Sequence, residues 1–578
     1  MSARRALLLV LTLILLAVVV SAAAVLVLAS LGGAPAHVPA EATLYLKIEA
    51  PLSEVEPSDV LSQFLRRGPT LRETVDLIRK AKTDSRIKTL VVRPVSMSGL
   101  WAQVQEIRRA IEDFKTSKKP VTAYLESGGA GEYYLASVAD RIVLMPAGQL
   151  DLVGLASYEI FFRGALDKMG IFPDLVHVGD YKTASNTFTE KGFTPAHKEM
   201  TQSINRDWFD ELVRTIASAR KMTEPAVRAA IDQGPFLAED AVRAGLVDAL
   251  AYEDQLDDSP PIQGTRELDA ERYRDAAPQG TSAGHRGRIA LLYAVGVIAS
   301  GESNFDSPAS LVVGSETFNQ WLRRVRIDPS IDAVVVRVDS PGGSAVASEV
   351  IWRELMLTRD VKPLVVSMGD VAASGGYYIA APAHAIVAQA GTVTGSIGVV
   401  TGKFIVDGAL GKLGIGSAAV SDGRQAEIYS PFRPFSRDER AKVEEQLQST
   451  YELFLDRVAK GRSQETRKVD GVAQGRVWTG RQARELGLVD ELGGLTDAIR
   501  IAKERAKLDP QRDVDLVVYP PKRTILDILS NPLGSSAAQG VGVLFGRPET
   551  RLIDSAVSTL RRFRRGEPLA IMPNLFLH

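Results

Sequence analysis

The sequence predicts an α/β protein made of two tandem copies of one unit, preceded by a transmembrane helix. Three observations predict this architecture. An uncharged apolar stretch near the N-terminus is long enough to cross a bilayer. Short motifs recur in the same order at a spacing of 244 positions, as Gly164 and Gly408 show, which indicates a duplication. Within each copy, β-branched runs alternate with longer amphipathic helical patterns, which is typical of parallel βαβ units.

The composition excludes several classes of function. The 578 residues include 69 Lys and Arg against 70 Asp and Glu, so the bulk positive field of a nucleic-acid binder is absent. There is no cysteine, which excludes disulfides, thiolate metal sites and a cysteine nucleophile. The six histidines lack the spacing of a metal site. We therefore expect no metal or organic cofactor and no nucleic-acid partner, and chemistry carried by oxygen and nitrogen side chains.

The first element is an N-terminal membrane anchor. A tail of residues 1–5 precedes residues 6–31, which carry no charge and consist almost wholly of Leu, Val and Ala. As a helix they would run about 39 Å, enough to cross a hydrocarbon core of ~30 Å. Arg4 and Arg5 precede the span, so the positive-inside rule predicts a cytoplasmic tail, a single pass through the inner (plasma) membrane and a periplasmic or extracytoplasmic bulk. A cleaved secretory signal is the alternative.

Two copies of the unit follow the anchor. Three motif pairs carry the repeat: RIKTLVVR (86–93) with SIDAVVVR (330–337), GEYYLA (131–136) with GGYYIA (375–380), and GALDKMGI (164–171) with GALGKLGI (408–415). They predict an N-terminal repeat over 40–256 and a C-terminal repeat over 288–510. Residues 257–287, rich in Pro, Gly and charge, are predicted as a linker with one short helix, and residues 511–578 as a C-terminal extension.

Strands and helices alternate inside each copy. β-Branched runs predict strands over 88–93, 333–338, 364–366 and 385–387, and apolar periodicity predicts helices over 100–114 and 345–358. The turns that join a strand end to a helix start are therefore the places to look for chemistry.

A Pro-Gly-Gly turn follows the strand at 333–338. Its glycines, Gly342 and Gly343, stand between a strand end and a helix start, where backbone N–H groups can approach a ligand oxygen closely. Such a loop suits an oxyanion hole, and a tight turn without a ligand is the alternative. The first copy has Met97, Ser98 and Gly99 at the equivalent positions, so the fold itself does not demand Pro-Gly-Gly.

A serine occupies a second such turn. Ser374 lies between small residues after a strand and at the start of a short helix, where its hydroxyl would be placed on a turn near the positive end of the helix. Its equivalent in the first copy is Ala130. An N-cap serine is the alternative, but capping alone would favour Ser, Thr, Asp or Asn in both copies.

A nucleophilic serine needs a base that removes its proton. His384 is the nearest histidine in sequence and is interpreted as a surface helix end. Lys182 is the candidate instead, because burial would lower its pKa, and its equivalent in the second copy is Ala426. The copy with the hydroxyl lacks this amine and the copy with the amine lacks the hydroxyl, which indicates one composite site. Ser396 follows the next strand and could orient the amine, a plain turn serine being the alternative.

These motifs together resemble the long, tandem-repeat form of signal peptide peptidase SppA, or protease IV. The resemblance rests on DSPGGS, ASGGYY, TGSIGV and GDYKTA and covers about residues 40–510. It implies ClpP/crotonase-like repeats and a Ser-Lys serine peptidase that forms a membrane-anchored homotetramer and degrades remnant signal peptides and other apolar peptides. The residues implied are Ser374 as nucleophile, Lys182 as base, Ser396 orienting that amine, and the Gly342 and Gly343 backbone as oxyanion donors. Asn186 and Thr187 depart from the family's usual acidic residue and proline.

Two other classes of function are weighed against the peptidase. Crotonase-like folds also carry acyl-CoA chemistry, but the exported anchor and the Ser/Lys pairing disfavour a soluble thioester enzyme. A non-catalytic membrane scaffold that binds hydrophobic peptides is the second alternative, and the intact residues at all four loops argue against it.

Overall fold

The computed structural model describes a chain with several gaps. The described residues are 12, 16, 37–56, 68–277, 287–305, 311–510, 512–521, 566–572 and 576–577. The predicted membrane span therefore lies outside the described residues, apart from Thr12 and Leu16. Within the described ranges, no helix has both the length and the apolar character that a bilayer crossing requires.

The first copy of the unit contains a six-stranded parallel sheet and several shorter strands that belong to other sheets. Its strands are β1 (Ala42–Ala50), β2 (Ile87–Met97), β3 (Val121–Leu125), β4 (Gly128–Gly129), β5 (Arg141–Leu144), β6 (Gln149–Asp151), β7 (Ser157–Tyr158), β8 (Phe172–Val178), β9 (Phe236–Leu237), β10 (Ala249–Leu250) and β11 (Arg266–Asp269). Its helices are α1 (Leu71–Thr83), α2 (Trp101–Lys115), α3 (Ala130–Ala136), α4 (Arg163–Met169), α5 (Asn186–Thr189), α6 (Pro195–Arg220), α7 (Glu224–Ile231), α8 (Ala238–Arg243) and α9 (Ala270–Arg274), with 3₁₀ turns at Thr183–Ser185 and Glu253–Leu256.

The second copy repeats the plan. Its strands are β12 (Arg288–Val295), β13 (Val297–Ala299), β14 (Val312–Gly314), β15 (Ala333–Ser340), β16 (Gly342–Ser344), β17 (Leu364–Ala373), β18 (Ala385–Ala388), β19 (Val393–Gly395), β20 (Val399–Ile405), β21 (Val477–Thr479), β22 (Glu491–Leu492) and β23 (Asp515–Tyr519). Its helices are α10 (Ser315–Ile327), α11 (Ala345–Arg359), α12 (Gly375–Ala380), α13 (Asp407–Lys412), α14 (Arg437–Arg462), α15 (Thr466–Val472), α16 (Gly480–Glu485) and α17 (Leu495–Arg505). Two short strands near the C-terminus are β24 (Leu569–Ile571) and β25 (Phe576–Leu577).

The two main sheets have the same strand order. In the first, the parallel order is β10-β5-β3-β2-β1-β11, and in the second the corresponding strands run β22-β18-β17-β15-β12-β23, also parallel. The β-branched runs that predict these strands are almost fully buried, as a parallel sheet covered by helices on both faces requires. The predicted α/β class and tandem organisation are confirmed.

Several of the longer helices begin at side-chain caps that can be read in the sequence. Ser344 accepts a hydrogen bond from the Ala347 N–H and starts α11 directly after the Pro-Gly-Gly turn. Thr70 with Glu73, and Ser436 with Glu439, form capping boxes at α1 and α14. The Ser436 cap fixes where the 26-residue helix α14 begins, after the loop that follows α13.

The sheets extend past the predicted repeat boundaries. Strand β11 lies in the segment predicted as a linker, where the predicted short helix is α9, and strand β23 lies in the predicted C-terminal extension. Both are edge strands: only Leu268 of β11 is buried, and none of the residues of β23 is fully buried. The RELD sequence of β11 has no apolar alternation, and the short apolar run of β23 stands outside the repeat and directly before two prolines, which is why the sequence pattern missed both strands.

A third sheet joins the two copies. Its order is β14-β13-β16-β24-β20-β8, so strand β8 of the first copy pairs antiparallel with β20 of the second from Phe172–Ile405 to Val178–Val399. This pairing carries the turn that follows β8 into the second copy, toward the carboxyl ends of β17 and β19.

Candidate active site

Lys182 follows β8 and lies against the second copy. The Tyr181 N–H donates to the Gln474 carbonyl at 2.9 Å, and a side chain at Gly475 would collide with the Lys182 backbone. Gly475 has a φ of 77°, which a glycine adopts without strain. The first copy therefore supplies Lys182, but residues of the second copy set its position.

The Lys182 amine is enclosed among oxygen atoms. Its Nζ lies within hydrogen-bond distance of three oxygens: 2.7 Å from the Ser374 Oγ, 2.9 Å from the Ser396 carbonyl and 3.0 Å from the Ser396 Oγ. The side chain is fully buried, and no carboxylate is among these partners. Burial lowers the pKa of the Lys182 ammonium well below its ordinary value, because a charged amine without a counter-ion is poorly solvated there. The neutral amine can accept a proton from a hydroxyl.

Ser374 is held in a strained backbone conformation at the end of β17. Its φ is 55° and its ψ −114°, a combination that a residue with a Cβ rarely adopts. The Ser374 N–H donates to the Gly395 carbonyl at 2.7 Å, and the Ser374 carbonyl accepts from the Tyr378 N–H at 2.8 Å. Strand β19 and helix α12 therefore both hold the turn in place. Its Oγ accepts no cap bond from the following helix α12. The hydroxyl is aimed at Lys182 instead.

Ser396 is positioned by the adjacent strand end. It follows β19, has a φ of 51°, and its N–H donates to the Arg476 carbonyl at 2.7 Å. Its hydroxyl and its carbonyl both accept from Lys182, so this residue alone fixes two of the three hydrogen bonds of the amine.

Gly342 and Gly343 form a short extended segment beside Ser374. Their φ values are 99° and 155°. A Cβ on Gly342 would lie 2.7 Å from the Gly375 backbone nitrogen, so the glycine loop and the residue after Ser374 are in close contact. The Gly342 N–H donates to the Ser340 Oγ at 3.2 Å. The structure thus brings all five predicted residues together in one site.

A buried charge network below the loops was not predicted. Arg337, on β15, contacts Glu54 at 2.8 Å and Glu106 at 2.9 Å, and both carboxylates belong to the first copy. The Asp339 carboxylate accepts from the Val371 N–H at 2.9 Å, and the Asp370 carboxylate from the Gln103 N–H at 3.0 Å. These contacts tie the strand ends that carry the glycine turn and Ser374 to each other and to the first copy.

Burial dominates the electrostatics of this network. It raises the pKa of Glu106, of Asp339 and, most strongly, of Asp370, and the charge of Asp339 raises that of Asp370 further. One sequence feature could have indicated the network: the duplicated motif ends in an arginine in both copies, Arg93 and Arg337. Sequence alone could not distinguish the buried arginine from the half-buried one.

His384 is remote from this chemistry. It does not end a helix, as the sequence suggested, but precedes β18, and its Nδ1 accepts from the Leu364 N–H at 3.1 Å. Leu364 begins β17 and Ser374 follows its other end, so the strand length separates them. In the described part of the chain, no group of three or more His, Asp or Glu side chains could hold a metal ion.

The first copy lacks a matching site. Ala130 stands where the second copy has Ser374, and the buried Leu152 where it has Ser396. Ala426, equivalent to Lys182, is exposed on a turn. Glu132, equivalent to Gly376, fills the space: its carboxylate accepts from the Met97 N–H at 2.7 Å and from the Gly129 N–H at 2.9 Å. Two backbone amides of the corresponding turns in the first copy are therefore occupied by its own side chain.

A serine that contacts a buried lysine amine, at a site between two copies of an α/β fold, is typical of the serine hydrolase class. Sequence comparison identifies the family. The profile of Peptidase family S49 matches residues 113–259 and 357–509, once in each copy. The chain belongs to this family of serine peptidases. Family membership favours the peptidase over the acyl-CoA enzyme and the scaffold.

Named relatives agree with this assignment. The chain is 34% identical over 490 residues to "Serine protease SPPA, chloroplastic" of Arabidopsis thaliana, across 83% of this chain and 72% of that protein. It is 35% identical over 481 residues to "Protease 4" of Salmonella typhi, across 81% and 76% of the two chains. It is 34% identical over 258 residues to "Putative signal peptide peptidase SppA" of Enterococcus faecium, across 44% and 73%. The resemblance to SppA and protease IV is confirmed.

Proposed function

We propose that the protein is a membrane-anchored endopeptidase in which Ser374 is the nucleophile and Lys182 the general base. One observation carries the proposal: the Lys182 Nζ lies 2.7 Å from the Ser374 Oγ, in full burial and without a carboxylate partner. A lysine on a solvated surface would be protonated and useless as a base at neutral pH, whereas a desolvated one is poised to accept a proton.

The proposed reaction proceeds through an acyl-enzyme. Neutral Lys182 removes the Ser374 proton as Oγ attacks the scissile carbonyl carbon, and the protonated amine then donates that proton to the departing amine of the peptide. Water, deprotonated by the same lysine, hydrolyses the ester. Ser396 holds the Nζ in line with Oγ through its hydroxyl and carbonyl.

Backbone amides are proposed to stabilise the oxyanion. The sequence indicates Gly342 and Gly343, and the contact of Gly342 with the Gly375 nitrogen adds the amide that follows the nucleophile. The Gly342 N–H is directed at the Ser340 Oγ, so we assign the donor role in the resting enzyme to Gly343 and Gly375. Aligned dipoles of this kind reduce the activation free energy by about 3 kcal/mol per donor.

Apolar peptides released in the membrane, including remnants of signal peptides, are the proposed substrates. The names of the relatives and the apolar segment 6–31 support an enzyme that meets its substrates at the bilayer. The inner-membrane location with an extracytoplasmic bulk, the ClpP/crotonase-like assignment of each repeat and the homotetramer are part of the same proposal, and rest on the resemblance.

Two substitutions test the dyad. Ser374→Ala and Lys182→Ala should each reduce peptide hydrolysis by at least about 10³-fold, because nucleophile and base act as one unit. Ser374→Ala should also abolish labelling by a fluorophosphonate, which reacts with activated serines. Lys198→Ala is the matched control, since this exposed lysine of α6 should be dispensable.

The pH dependence separates the base from a merely structural lysine. Hydrolysis needs neutral Lys182, so kcat/KM should rise with pH through the lowered pKa of this group and reach its plateau below the ordinary range of lysine. A Lys182→Ala protein that hydrolyses peptides at a comparable rate near neutral pH would refute the proposed base.

A further inference from the structure

A strand from the C-terminal extension occupies the space beside the glycine turn. Strand β24 pairs antiparallel with β16 on one side, Gly342 opposite Ile571, Gly343 opposite Ala570 and Ser344 opposite Leu569. On its other side it pairs antiparallel with β20, Val400 opposite Leu569. Without β24, the third sheet has an open slot one strand wide, bounded by two strands of the second copy. An extended peptide is the ligand that fits such a slot.

The register of β24 brings one carbonyl to the proposed oxyanion donors. The Met572 N–H donates to the Pro341 carbonyl at 2.9 Å and the Ala345 N–H to the Pro568 carbonyl at 3.1 Å. In an antiparallel ladder hydrogen-bonded pairs alternate, so the pair between them, Gly343 and Ala570, is also hydrogen-bonded. A side chain on Gly342 would overlap the Ala570 carbonyl oxygen, and a Cβ on Gly375 would lie 3.2 Å from it. The oxygen therefore lies between the glycine turn and the residue after Ser374.

The side chain at this register position enters a closed space. Ala570 is fully buried and belongs to the core of the second copy, whereas Leu569 and Ile571 on either side are partly exposed. A methyl group fills this pocket, and a larger side chain would need the core to move.

Polar contacts fasten the segment on its N-terminal side. Ser344 donates a hydrogen bond to the Glu567 carboxylate, and Thr401 donates to the Gly566 and Glu567 carbonyls at 3.2 and 3.3 Å. Ser344 and Thr401 stand on the two strands that border the slot, so both walls hold the same segment.

We propose that residues 566–572 are an internal ligand of the peptide-binding slot, which competes with substrate, and that Ala570 marks a specificity pocket for a small side chain. This inference rests on the proposed function. A substrate would lie in the slot in the same direction, with a small residue donating the carbonyl that Ser374 attacks. Substrate then gains access only when the segment leaves.

A binding experiment tests the ligand without any catalysis. A chain that ends at residue 565 and carries Ser374→Ala should bind a fluorescent peptide GEPLAIMPN, residues 566–574, as measured by anisotropy. The same peptide with Trp at the position of Ala570 should bind at least about tenfold more weakly, whereas Trp at the half-exposed position of Leu569 should change little. Equal binding of all three peptides, or no binding, would overturn the proposal even if the enzyme hydrolyses peptides normally.

A labelling experiment tests the competition. If the segment fills the slot nine-tenths of the time, its removal should speed fluorophosphonate labelling of Ser374 about tenfold and lower the KM for peptides, with kcat nearly unchanged. The full-length Ala570→Trp variant should behave likewise, and Leu569→Trp should behave like wild type. A purely structural strand predicts the reverse: the truncated chain would melt at a lower temperature and label more slowly, and that result would overturn the proposal. Absence of labelling in every chain would instead refute Ser374 as the proposed nucleophile. In that case the anisotropy experiment alone would test whether residues 566–572 are a ligand of the slot.

Discussion

The two copies share one strand order but only the second has a site. Both sheets place their strands in the same sequence, yet Ser374, Ser396 and the Gly342–Gly343 turn are replaced in the first copy by Ala130, Leu152 and Ser98–Gly99. The first copy folds around its own core without these groups. The strained serines and the Pro-Gly-Gly turn therefore serve the site rather than the fold, since the same topology forms where they are missing.

The amine comes from the copy that has no site of its own. Lys182 reaches the second copy because β8 pairs with β20, whereas the equivalent turn of the second copy leaves Ala426 exposed. The hydroxyl and the amine of the proposed dyad are thus divided between the two halves of the chain. Within the described residues, neither half alone brings a serine hydroxyl and a buried lysine amine together.

Moving the hydroxyl to the first copy is the strongest test of this division. The double variant Ser374→Ala, Ala130→Ser should remain at least about 10³-fold below wild type in peptide hydrolysis, because the exposed Ala426 stands in the second copy where a lysine equivalent to Lys182 would be needed. Hydrolysis rates and fluorophosphonate labelling of the double variant and of Ser374→Ala measure the effect. Recovery of labelling at residue 130 would show that the first copy retains a working site.

The duplicated arginines give the next largest effect. Arg337→Met should reduce the free energy of unfolding by about 3–5 kcal/mol, because it leaves Glu54 and Glu106 buried without their counter-ion. Arg93→Met is the matched control: Arg93 is 23% exposed and pairs with the exposed carboxylates of Glu126 and Glu253, so a loss of about 0–1 kcal/mol is expected. Urea unfolding of both variants provides the measurement, and equal losses would contradict the different roles assigned to the two arginines.

Substitution of Glu132, whose carboxylate accepts two backbone hydrogen bonds in the first copy, should give a smaller effect. Glu132→Ala should reduce the free energy of unfolding by about 1–3 kcal/mol, since the Met97 and Gly129 N–H groups lose their acceptor. Peptide hydrolysis should be unchanged at temperatures where the variant is folded. A loss of kcat in the folded variant would mean that the first copy takes part in the reaction beyond supplying Lys182.

Much of the candidate site could be predicted by comparing equivalent positions of the two copies. Ser374 and Lys182 each have a chemically inert partner in the other copy, and this complementarity predicted that a residue 192 positions away would meet the serine. The alternation of apolar runs gave the main strands because each of them buries nearly all of its side chains. The apolar pattern therefore predicted the main strands, and the duplication predicted the residues of the candidate site, because both depend on which residue type occupies a position.

What depends on tertiary surroundings could not be predicted in this way. Arg93 and Arg337 end the same motif, and only the packing of Glu54 and Glu106 from the first copy makes one of them buried. The edge strand β11 has no apolar alternation, the edge strand β23 stands outside the repeat, and β24 is three residues long. Its place in the third sheet comes from the slot between β16 and β20, and no property of LAI alone signals it.

The last prediction concerns the stability cost of the shared amine. Lys182→Met should raise the free energy of unfolding by about 0.5–2 kcal/mol near neutral pH, because it removes a desolvated amine and keeps the length of the side chain. Burial lowers the pKa of Lys182 in the folded protein only, so between the lowered and the ordinary value the unfolded chain binds more protons. Wild-type stability should therefore rise with pH across this window, and the advantage of the Met variant should shrink until it vanishes near the ordinary pKa of lysine. Urea unfolding at several pH values, with Lys198→Met as the exposed control, measures the difference. An advantage that stays constant with pH would mean that the amine is already protonated in the folded protein, and a protonated amine could not serve the serine of the other copy as a base.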